Sequence, residues 1–599
     1  MYVGLEAEEY DRTYKDRALL RRILTYFSPY KRYMLIVFIF LTISSITTSF
    51  VPFITSAAIN SIEVSTDITY LVFLIVLIFT FNILSFLFNY YRQINSAKAI
   101  ANVVLDLRGD ATKSILEHDL SFFDKNPIGK IVSRINTDSR DFGQTVDLLI
   151  EVISSLVVMI LIIILLTIIN AILTVYMLLA IPLFFVVALS YRKYARKMTL
   201  LGQRALASVN SFVKESFSGI QIAKTFRQEL KLYDQFSEVN TQSYKVNLKR
   251  AFILNAIFPT LGIVQGVITT ILVYLGGNFL IFNTINVGEF NMFLQSLNLL
   301  FFPLLTIASF WPQFQSGLSA SERIFAIIDT PPVVIQTDNI IPGKLKGEIE
   351  FKNLTFEYEK NMKIFDSFNL KIKPGEALAI VGHTGAGKSS LASLLARFYE
   401  FQKGDILVDG ISIKKYNLKE YRKQIGIIPQ VPFLWADTVE NNINYGCSSA
   451  SCDDVISALD KAGGAEWVDS LSEGLNTLVG ERGSLLSMGQ RQLVAFARVL
   501  LENPSILILD EATASVDPFT ETRIQEALEK TIAGRTSIII AHRLWTVRHV
   551  DRIIVLDKGK IIEEGNHENL MKRKGYYADL YNTYFRHQSL KYIEEMGKV

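Results

Sequence analysis

The chain has 599 residues, too many for a single hydrophobic core, so two or more domains are expected. Half of the residues are hydrophobic while 20% are charged, and the mean hydropathy is +0.28, which indicates a membrane part joined to a water-soluble part. The net charge of +3 gives no reason to expect nucleic acid as a partner, and the two cysteines, Cys447 and Cys452, fit neither a disulfide framework nor a zinc site and are expected to be free thiols in a reducing compartment.

The first predicted element is a helix that precedes every long apolar run. A stripe of apolar residues at helical spacing runs along it, formed by Leu19, Leu20, Ile23, Leu24 and Phe27. The stripe favours an amphipathic helix lying in the membrane interface, within a cytoplasmic N-terminal segment of residues 1–32. An ordinary surface helix is the alternative interpretation.

Residues 33–325 are predicted to form an all-α transmembrane domain. A helix needs about 20 apolar residues to cross a bilayer. The third and fourth of the candidate spans meet at Asn170 with almost no loop, and runs such as SSLVVMILIIILLTII are apolar on every side, which disfavours buried helices of a soluble protein. The six predicted spans lie near 33–54, 69–90, 147–169, 171–190, 252–282 and 288–312.

Lysine and arginine are unevenly distributed among the connections. The segment before the first span and the connections 91–146 and 191–251 are rich in both, whereas 55–68 and 283–287 contain neither. Because cytoplasmic loops carry the excess of basic residues, both termini and both long connections are predicted to be cytoplasmic. An early apolar segment typical of a cleavable signal is missing, and a multi-pass protein of an inner or plasma membrane is expected.

The two long connections have a helical composition with few breakers. If each connection goes out and back as two helices, about 28 residues per helix at 1.5 Å each reach roughly 40 Å beyond the bilayer. That reach would let the membrane helices contact a cytoplasmic domain directly.

A change of composition follows the last span. Three prolines interrupt helix formation and predict a linker over residues 326–345: Pro331, Pro332 and Pro342. Residues 346–585 then alternate strands, loops and charged helices, which is typical of an α/β domain, and residues 586–599 are predicted to be a tail.

The stretch ALAIVGHTGAGKSSLASLLARF is predicted to be a strand, a glycine loop and a helix. It matches the whole pattern G-x-x-x-x-G-K-[ST]. The glycines let backbone N–H groups converge on phosphate oxygens, while Lys388 reaches the outer phosphates and Ser389 is placed to hold Mg²⁺. The predicted ATP contacts are Gly382, His383, Thr384, Gly385, Ala386, Gly387, Lys388, Ser389 and Ser390.

Further strands end in residues suited to phosphate chemistry. The run ILILDE carries Asp510 to the end of a buried strand, where it is expected to hold Mg²⁺, and Glu511 is expected to polarise the attacking water. The run TSIIIAHR ends at His542, which can donate to the γ-phosphate. Gln430 can contact both Mg²⁺ and water, and the ring of Tyr358 is placed to stack on adenine. A surface acid and a structural histidine are the alternative interpretations of Glu511 and His542.

Together these segments resemble the ATP-binding cassette transporters, and more narrowly an exporter-type half-transporter. The resemblance covers roughly residues 18–585 and also rests on TLVGERG, LLSMGQRQ and SVD in the second domain and on FFDKNPIGKIVSRINTD, KESFSGIQIAKTF and SASERIFAIID in the first. It implies six transmembrane helices with long cytoplasmic extensions, followed by an α/β P-loop NTPase domain with a helical subdomain. ATP hydrolysis would then drive transport.

In this family two nucleotide-binding domains pack head to tail with ATP between them. The resemblance therefore implies that this chain also contacts ATP held by its partner, through Ser487, Met488, Gly489, Gln490 and Asp517. The family pattern is L-S-G-G-Q, so Met488 replaces a glycine. Exporters made of two different chains often combine an altered signature with an intact acid and histidine in one subunit, which favours a heterodimer. A homodimer that tolerates the methionine is the alternative.

The resemblance also implies where movement passes between domains. Phe122 and Phe123 are expected to dock on a nucleotide domain near Gln430 and Glu481, with a second contact near Gly219. A plain helix turn is the alternative interpretation of FFDKNP.

The predicted spans contain almost no ionisable residues apart from Asp147 and Glu151, so no ion or proton path is indicated. Polar amides and aromatic residues instead suit hydrophobic or amphipathic substrates such as drugs, lipids or peptides. The alternative is that these residues only pack the helices together. The candidate cavity residues are Asn255, Gln265, Phe293, Gln295, Asn298, Phe302 and Trp311.

Rival functions use the same or a similar fold. An ATP-gated channel or regulator would be favoured by a regulatory insertion, and none is visible between the domains. Import remains an alternative to export, because no residue indicates the direction of transport. A membrane-tethered P-loop ATPase of another family, such as a kinase acting on a soluble substrate, is disfavoured by LLSMGQRQ together with Gln430.

Overall fold

The structure is a computed structural model and describes residues 16–64, 68–359, 362–447, 449–510, 518–541 and 547–584. The chain divides into two compact units. The first comprises Met1–Leu116 and Ile128–Thr330, and the second comprises Glu117–Pro127 and Pro331–Val599. The segment Glu117–Pro127, called the docked segment below, therefore interrupts the first unit in sequence and belongs to the second.

Helices make up the first unit, because apolar runs in lipid must pair their backbone groups internally. A 3-10 turn, Ser28–Tyr30, precedes α2, and a π-helical turn, Arg134–Asp138, precedes α6. The α-helices up to Asp329 are α1 (Asp16–Phe27), α2 (Lys31–Val64), α3 (Ile68–Glu117), α4 (Leu120–Lys125), α5 (Ile128–Ser133), α6 (Ser139–Ile169), α7 (Ala171–Ser218), α8 (Ile220–Thr225), α9 (Glu229–Asn255), α10 (Ile257–Ile281) and α11 (Val287–Asp329). Among these helices, α4 lies in the docked segment.

The predicted spans lie inside helices that are longer than the apolar runs. α3 has 50 residues, and at 1.5 Å per residue it is about 75 Å long, more than twice the hydrocarbon thickness of about 30 Å. The sixth predicted span lies within α11 but is not among the stretches found long and apolar enough to cross a membrane, so the count of six stays a prediction. Those stretches, within the described residues, are Arg17–Ile62, Ile68–Glu117, Ile128–Ile169, Ala171–Ser218 and Glu229–Ile281.

Asn170 explains why almost no loop separates the third and fourth predicted spans. This residue alone separates α6 from α7, with φ −152° and ψ 103°. Its side-chain oxygen accepts a hydrogen bond from the backbone N–H of Leu173 at 2.9 Å, which caps the first turn of α7.

α1 packs on the end of α11 and does not present its whole apolar stripe to one surface. Leu19 is buried in an apolar cluster with Phe325, whereas Leu24 is 69% exposed. Arg22 pairs with Asp329, and its guanidinium lies 4.4 Å from the centre of the Phe325 ring. The stripe is thus divided between the protein core and the surface of the first unit.

Two sheets form the framework of the second unit. One is antiparallel, with strand order β2-β1-β4-β5, and the other has the order β10-β9-β3-β8-β7-β6 and is parallel except for β10. Every residue of β3 and β8 is buried, as expected for central parallel strands. The strands are β1 (Ile349–Glu357), β2 (Lys363–Ile372), β3 (Ala377–Val381), β4 (Lys403–Val408), β5 (Ile411–Ser412), β6 (Ile425–Ile428), β7 (Ile506–Asp510), β8 (Thr536–Ile540), β9 (Arg552–Asp557) and β10 (Lys560–Gly565).

A group of helices is inserted between β6 and β7, which confirms the predicted α/β domain with a helical subdomain. Within it, α15 packs on α17. Short 3-10 turns occur at Asn444–Gly446, Gly474–Asn476 and Glu481–Gly483. The helices of the second unit are α12 (Lys388–Leu395), α13 (Leu418–Arg422), α14 (Val439–Ile443), α15 (Cys452–Lys461), α16 (Ala465–Asp469), α17 (Met488–Glu502), α18 (Pro518–Ile532), α19 (His567–Arg573) and α20 (Tyr576–Tyr584).

The predicted linker begins later than expected and is attached to the second unit. α11 continues to Asp329, and the boundary between the units follows Thr330. Beyond the boundary, the backbone N–H of Ile340 donates to the carbonyl of Lys415 at 3.0 Å, and the N–H of Asn417 donates back to Ile340 at 2.8 Å. Paired backbone groups of this kind hold the linker on the surface of the domain.

Candidate functional site

The glycine loop connects β3 to α12, as predicted, and its backbone explains the glycines. Gly382 and Gly387 have φ of 155° and 104°, in the region that favours glycine. A Cβ atom on Gly382 would also lie 2.2 Å from the carbonyl oxygen of Leu556. Any larger residue at Gly382 would therefore strain the loop and collide with neighbouring backbone.

Lys388 lies at the start of α12 with its side chain folded into the loop. Its Nζ atom donates to the carbonyl oxygens of Gly382 and His383, at 2.8 and 3.1 Å. Burial lowers the pKa of Lys388, and the nearby carboxylate of Asp510 opposes that shift. The ammonium group is therefore held at the centre of the loop that is predicted to bind the outer phosphates.

Oxygen ligands suited to Mg²⁺ converge at the carboxyl edge of the parallel sheet. The Ser389 hydroxyl lies 3.4 Å from a carboxylate oxygen of Asp510, which ends β7. Gln430 follows β6, whose Ile428 pairs with Leu509 of β7, so the amide comes from the neighbouring strand end. Hydroxyl, carboxylate and amide oxygens are ligands that Mg²⁺ accepts.

Three predicted site residues lie outside the described residues: Glu511, His542 and Asp517. Glu511 comes directly after β7, and His542 comes two positions after the end of β8. Their roles stay predictions from the sequence.

Tyr358 follows β1 and is fixed by contacts on one side. Its hydroxyl donates to the Ser390 hydroxyl of α12 at 3.0 Å, and its ring stands at 76° to that of Phe356, with centres 4.7 Å apart. The side chain is 40% exposed. An anchored ring with an open surface beside the glycine loop is suited to stacking on a nucleotide base.

The stretch LLSMGQRQ forms the N-terminus of α17 through a capping box. The Ser487 hydroxyl accepts from the N–H of Gln490 at 3.2 Å, and the Gln490 side chain accepts from the N–H of Ser487 at 2.9 Å. Met488 begins the helix, and its sulfur lies 3.8 Å from a guanidinium nitrogen of Arg491. The methionine side chain is therefore folded toward the next turn, while the buried Gly489 follows it.

The predicted coupling residues Phe122 and Phe123 lie in α4 with their rings perpendicular and 5.5 Å apart. The N–H of Leu120, the first residue of α4, donates to the carbonyl of Phe398 at 3.3 Å. Phe398 lies just beyond α12, so the docked segment contacts the rest of the second unit at the end of the phosphate-loop helix.

The other coupling candidates lie elsewhere in sequence and fold. Glu481 begins a 3-10 turn before α17, and Gly219 joins α7 to α8 in the first unit. Contacts of α4 with Gln430 and Glu481 stay predictions.

Two of the amides predicted for the substrate cavity bind each other. Gln265 of α10 donates to Asn298 of α11 at 2.7 Å. Gln295 instead donates to Asn291 within α11, also at 2.7 Å, and Asn255 is the last residue of α9. The first pair links α10 to α11.

The aromatic candidates divide into core and surface. Phe302 and Trp311 are 60% and 59% exposed. Phe293 has no exposed surface and packs in the main apolar cluster of the first unit, which favours helix packing, the alternative interpretation, for this residue.

One contact of the docked segment was not predicted from the sequence. The hydroxyl of Tyr399 donates to the carboxylate of Asp124 at 2.6 Å, although 275 positions separate the two residues. The only sequence signal was an aromatic residue shortly after the phosphate-loop helix.

Comparison with known families agrees with this arrangement. The family described as the ABC transporter transmembrane region matches residues 34–304, and the family described as ABC transporter matches residues 365–514. The two families follow each other in one polypeptide, in the order of the helical and sheet-containing parts.

Relatives align with nearly the whole chain. The uncharacterized ABC transporter ATP-binding protein YknV of Bacillus subtilis (strain 168) is 34% identical over 568 residues, covering 94% of both chains. An ATP-dependent lipid A-core flippase of Syntrophus aciditrophicus (strain SB) is 32% identical over 582 residues, covering 97% of this chain and 96% of its own.

A solved structure of a bacterial Atm1-family ABC exporter with ATP bound has the same fold. It is 25% identical, with a TM-score of 0.76, and the match covers 92% of this chain and 98% of that chain. The resemblance inferred from the motifs is confirmed, and half-transporters of this kind work as dimers in a lipid bilayer. The chain belongs to the ABC transporters and is an exporter half-transporter that couples ATP hydrolysis to transport across a membrane.

Proposed function

We propose that this chain is the hydrolytic subunit of a heterodimeric exporter that moves hydrophobic or amphipathic molecules out of the cytoplasm. The observation that carries the proposal is a complete phosphate loop combined with a signature helix that begins at Met488. Glu511 polarises the attacking water in this scheme, and His542 donates to the γ-phosphate.

Binding of ATP rests on groups already in place. Backbone N–H groups of the loop 382–387 and the N-terminus of α12 face the phosphates, and Lys388 exchanges its two carbonyl partners for phosphate oxygens. Tyr358 stacks on the base. Ser389, Asp510 and Gln430 would hold Mg²⁺, which neutralises charge on the phosphates when bound.

The methionine affects the site of the partner subunit. Ser487 already caps α17 through its reciprocal bonds with Gln490, so phosphate approach depends on the first-turn N–H groups. Met488 adds a flexible side chain where the family pattern has glycine, and its sulfur contacts Arg491. The ATP that faces this helix is therefore held but hydrolysed slowly, while the ATP on Lys388 faces the partner's signature.

Expressed alone, this chain is expected to show little ATPase activity, because each of its sites would face a methionine signature. Co-expression with its partner should restore hydrolysis, and Met488→Gly should raise the activity of the lone chain. ATPase assays on purified protein measure both effects. A stable homodimer of the unaltered chain with ordinary transport-coupled hydrolysis would remove the heterodimer and leave the homodimer.

A lipid-like substrate is supported by the membrane helices. The Gln265–Asn298 pair supplies hydrogen-bonding groups between α10 and α11, and Phe302 and Trp311 expose aromatic surface. Such a combination suits a molecule with a polar head and an apolar body. One relative carries the name lipid A-core flippase, which favours an amphipathic lipid. The proposed location is an inner or plasma membrane, with the nucleotide-binding domain in the cytoplasm.

Transport is tested in inside-out vesicles that contain the exporter. We expect ATP-dependent movement of a fluorescent phospholipid or a hydrophobic dye, and we expect Glu511→Gln to abolish it. Movement of neither probe, with ATPase intact, would contradict the substrate class. Passive flux that persists in Glu511→Gln would favour a channel.

A further inference from the structure

The docked segment is attached near both of its ends to the rest of the second unit. At the start, the Asp119 carboxylate accepts backbone hydrogen bonds from Val333 and Val334 of the linker, at 2.7 and 3.2 Å. Burial alone would raise the pKa of Asp119, but hydrogen bonds from Ser121, Val333 and Val334 outweigh it and hold the pKa below its usual value. This end is therefore a charged anchor on the linker.

The other end is held by one side-chain contact. The hydroxyl of Tyr399 donates to the exposed carboxylate of Asp124 at 2.6 Å, the length expected for a hydroxyl bound to an ionised carboxylate. Burial and the bond to Asp124 raise the pKa of Tyr399, so its hydroxyl stays protonated as the donor.

Tyr399 also contacts the residue proposed to stack on adenine. Its ring stands at 89° to that of Tyr358, with centres 5.0 Å apart, and at 62° to that of Phe356, with centres 6.1 Å apart. Rings in such edge-to-face arrangements at these distances attract each other. A displacement of Tyr358 would therefore alter its ring contact with Tyr399.

We propose that Tyr399 is a positioning residue that transmits occupation of the nucleotide pocket from Tyr358 to Asp124 in the docked segment. The inference rests on the proposed contact of Tyr358 with the base. The docked segment continues into α3 on one side and into α5 on the other, so a change in its position would reach both helices. A purely structural Tyr399 would only pack the turn after α12, and its hydroxyl would not affect the response to nucleotide.

Tyr399→Phe tests the proposal because it keeps the ring and removes the hydroxyl. Backbone hydrogen exchange is measured on the full-length exporter, with and without ATP, Mg²⁺ and vanadate. In the unaltered protein, nucleotide should slow exchange both in 388–397 and in the docked segment. In Tyr399→Phe the slowing in 388–397 should remain and the slowing in the docked segment should be lost.

Two further variants keep the result interpretable. Asp124→Ala removes the same bond from its exposed side and should reproduce the loss without unfolding the domain. Tyr416→Phe removes a buried hydroxyl bond to the Val408 carbonyl, 3.1 Å long, and should respond like the unaltered protein. A normal response of the docked segment in Tyr399→Phe, or none in the unaltered protein, overturns the proposal. An unchanged KM in Tyr358→Ala would instead remove the proposed base contact.

Discussion

Replacing Lys388 with alanine is expected to lower the rate of ATP hydrolysis by about 100-fold or more, the size found when one donor to a transition state is removed. The Nζ atom of Lys388 already lies within 2.8 and 3.1 Å of the loop carbonyls of Gly382 and His383, where the outer phosphates are proposed to bind. Phosphate oxygens would give it charge-assisted hydrogen bonds in place of neutral ones. Alanine supplies neither the charge nor the donor.

The measurement is kcat for ATP together with binding of a fluorescent nucleotide. Lys423→Ala is the matched control, because that ammonium is exposed and pairs with Glu420 at 2.9 Å on the surface of the same unit. It should hydrolyse ATP at the normal rate. Lys388→Arg should fail like alanine, since the planar guanidinium does not fit a cradle shaped for a compact ammonium. Equal activity of the Lys388→Ala and Lys423→Ala variants would contradict the assignment of this loop.

The phosphate loop could be predicted from the sequence because its geometry is local. Gly382 and Gly387 adopt backbone angles that favour glycine, and Lys388 and Ser389 open the helix that follows. The cap at Asn170 was equally local. In each case the residues that fix the conformation are neighbours in the chain, so a short pattern contains the necessary information.

Helix boundaries and burial in the first unit were less predictable. Hydrophobicity marks the part of a helix that lies in lipid, but α3 and α7 continue far beyond it because few breakers follow. Phe293 has the same composition signal as Phe302, yet one is buried and the other exposed. Which face of a membrane helix meets its neighbours depends on packing, and an apolar helix with little periodicity does not reveal it.

Distant contacts that no motif marks were missed. Asp124 and Tyr399 are 275 positions apart, and neither carries a motif that names the other. Arg397 would be placed on the surface by residue type, since charged side chains are almost never fully buried unless they are paired. The structure buries it completely, among carbonyl groups from two other segments.

Arg397→Ala is expected to destabilise the second unit by about 3–5 kcal/mol, because it leaves carbonyl groups without their donor and opens a cavity. Its guanidinium donates to the carbonyls of Ile413 and Ile335, at 3.1 and 2.7 Å, and pairs with Glu400 at 3.3 Å. Alanine leaves these carbonyls without their donor and opens a cavity. Thermal unfolding of the full chain should show a midpoint lower by roughly 10 °C.

Two other variants separate hydrogen bonding from packing. Lys414→Ala removes the second cation from Glu400, and because that lysine is 30% exposed the loss should be at most about 1 kcal/mol. Arg397→Met fills most of the space but donates nothing, so it should remain nearly as unstable as alanine. If methionine restored full stability, packing alone would explain the burial.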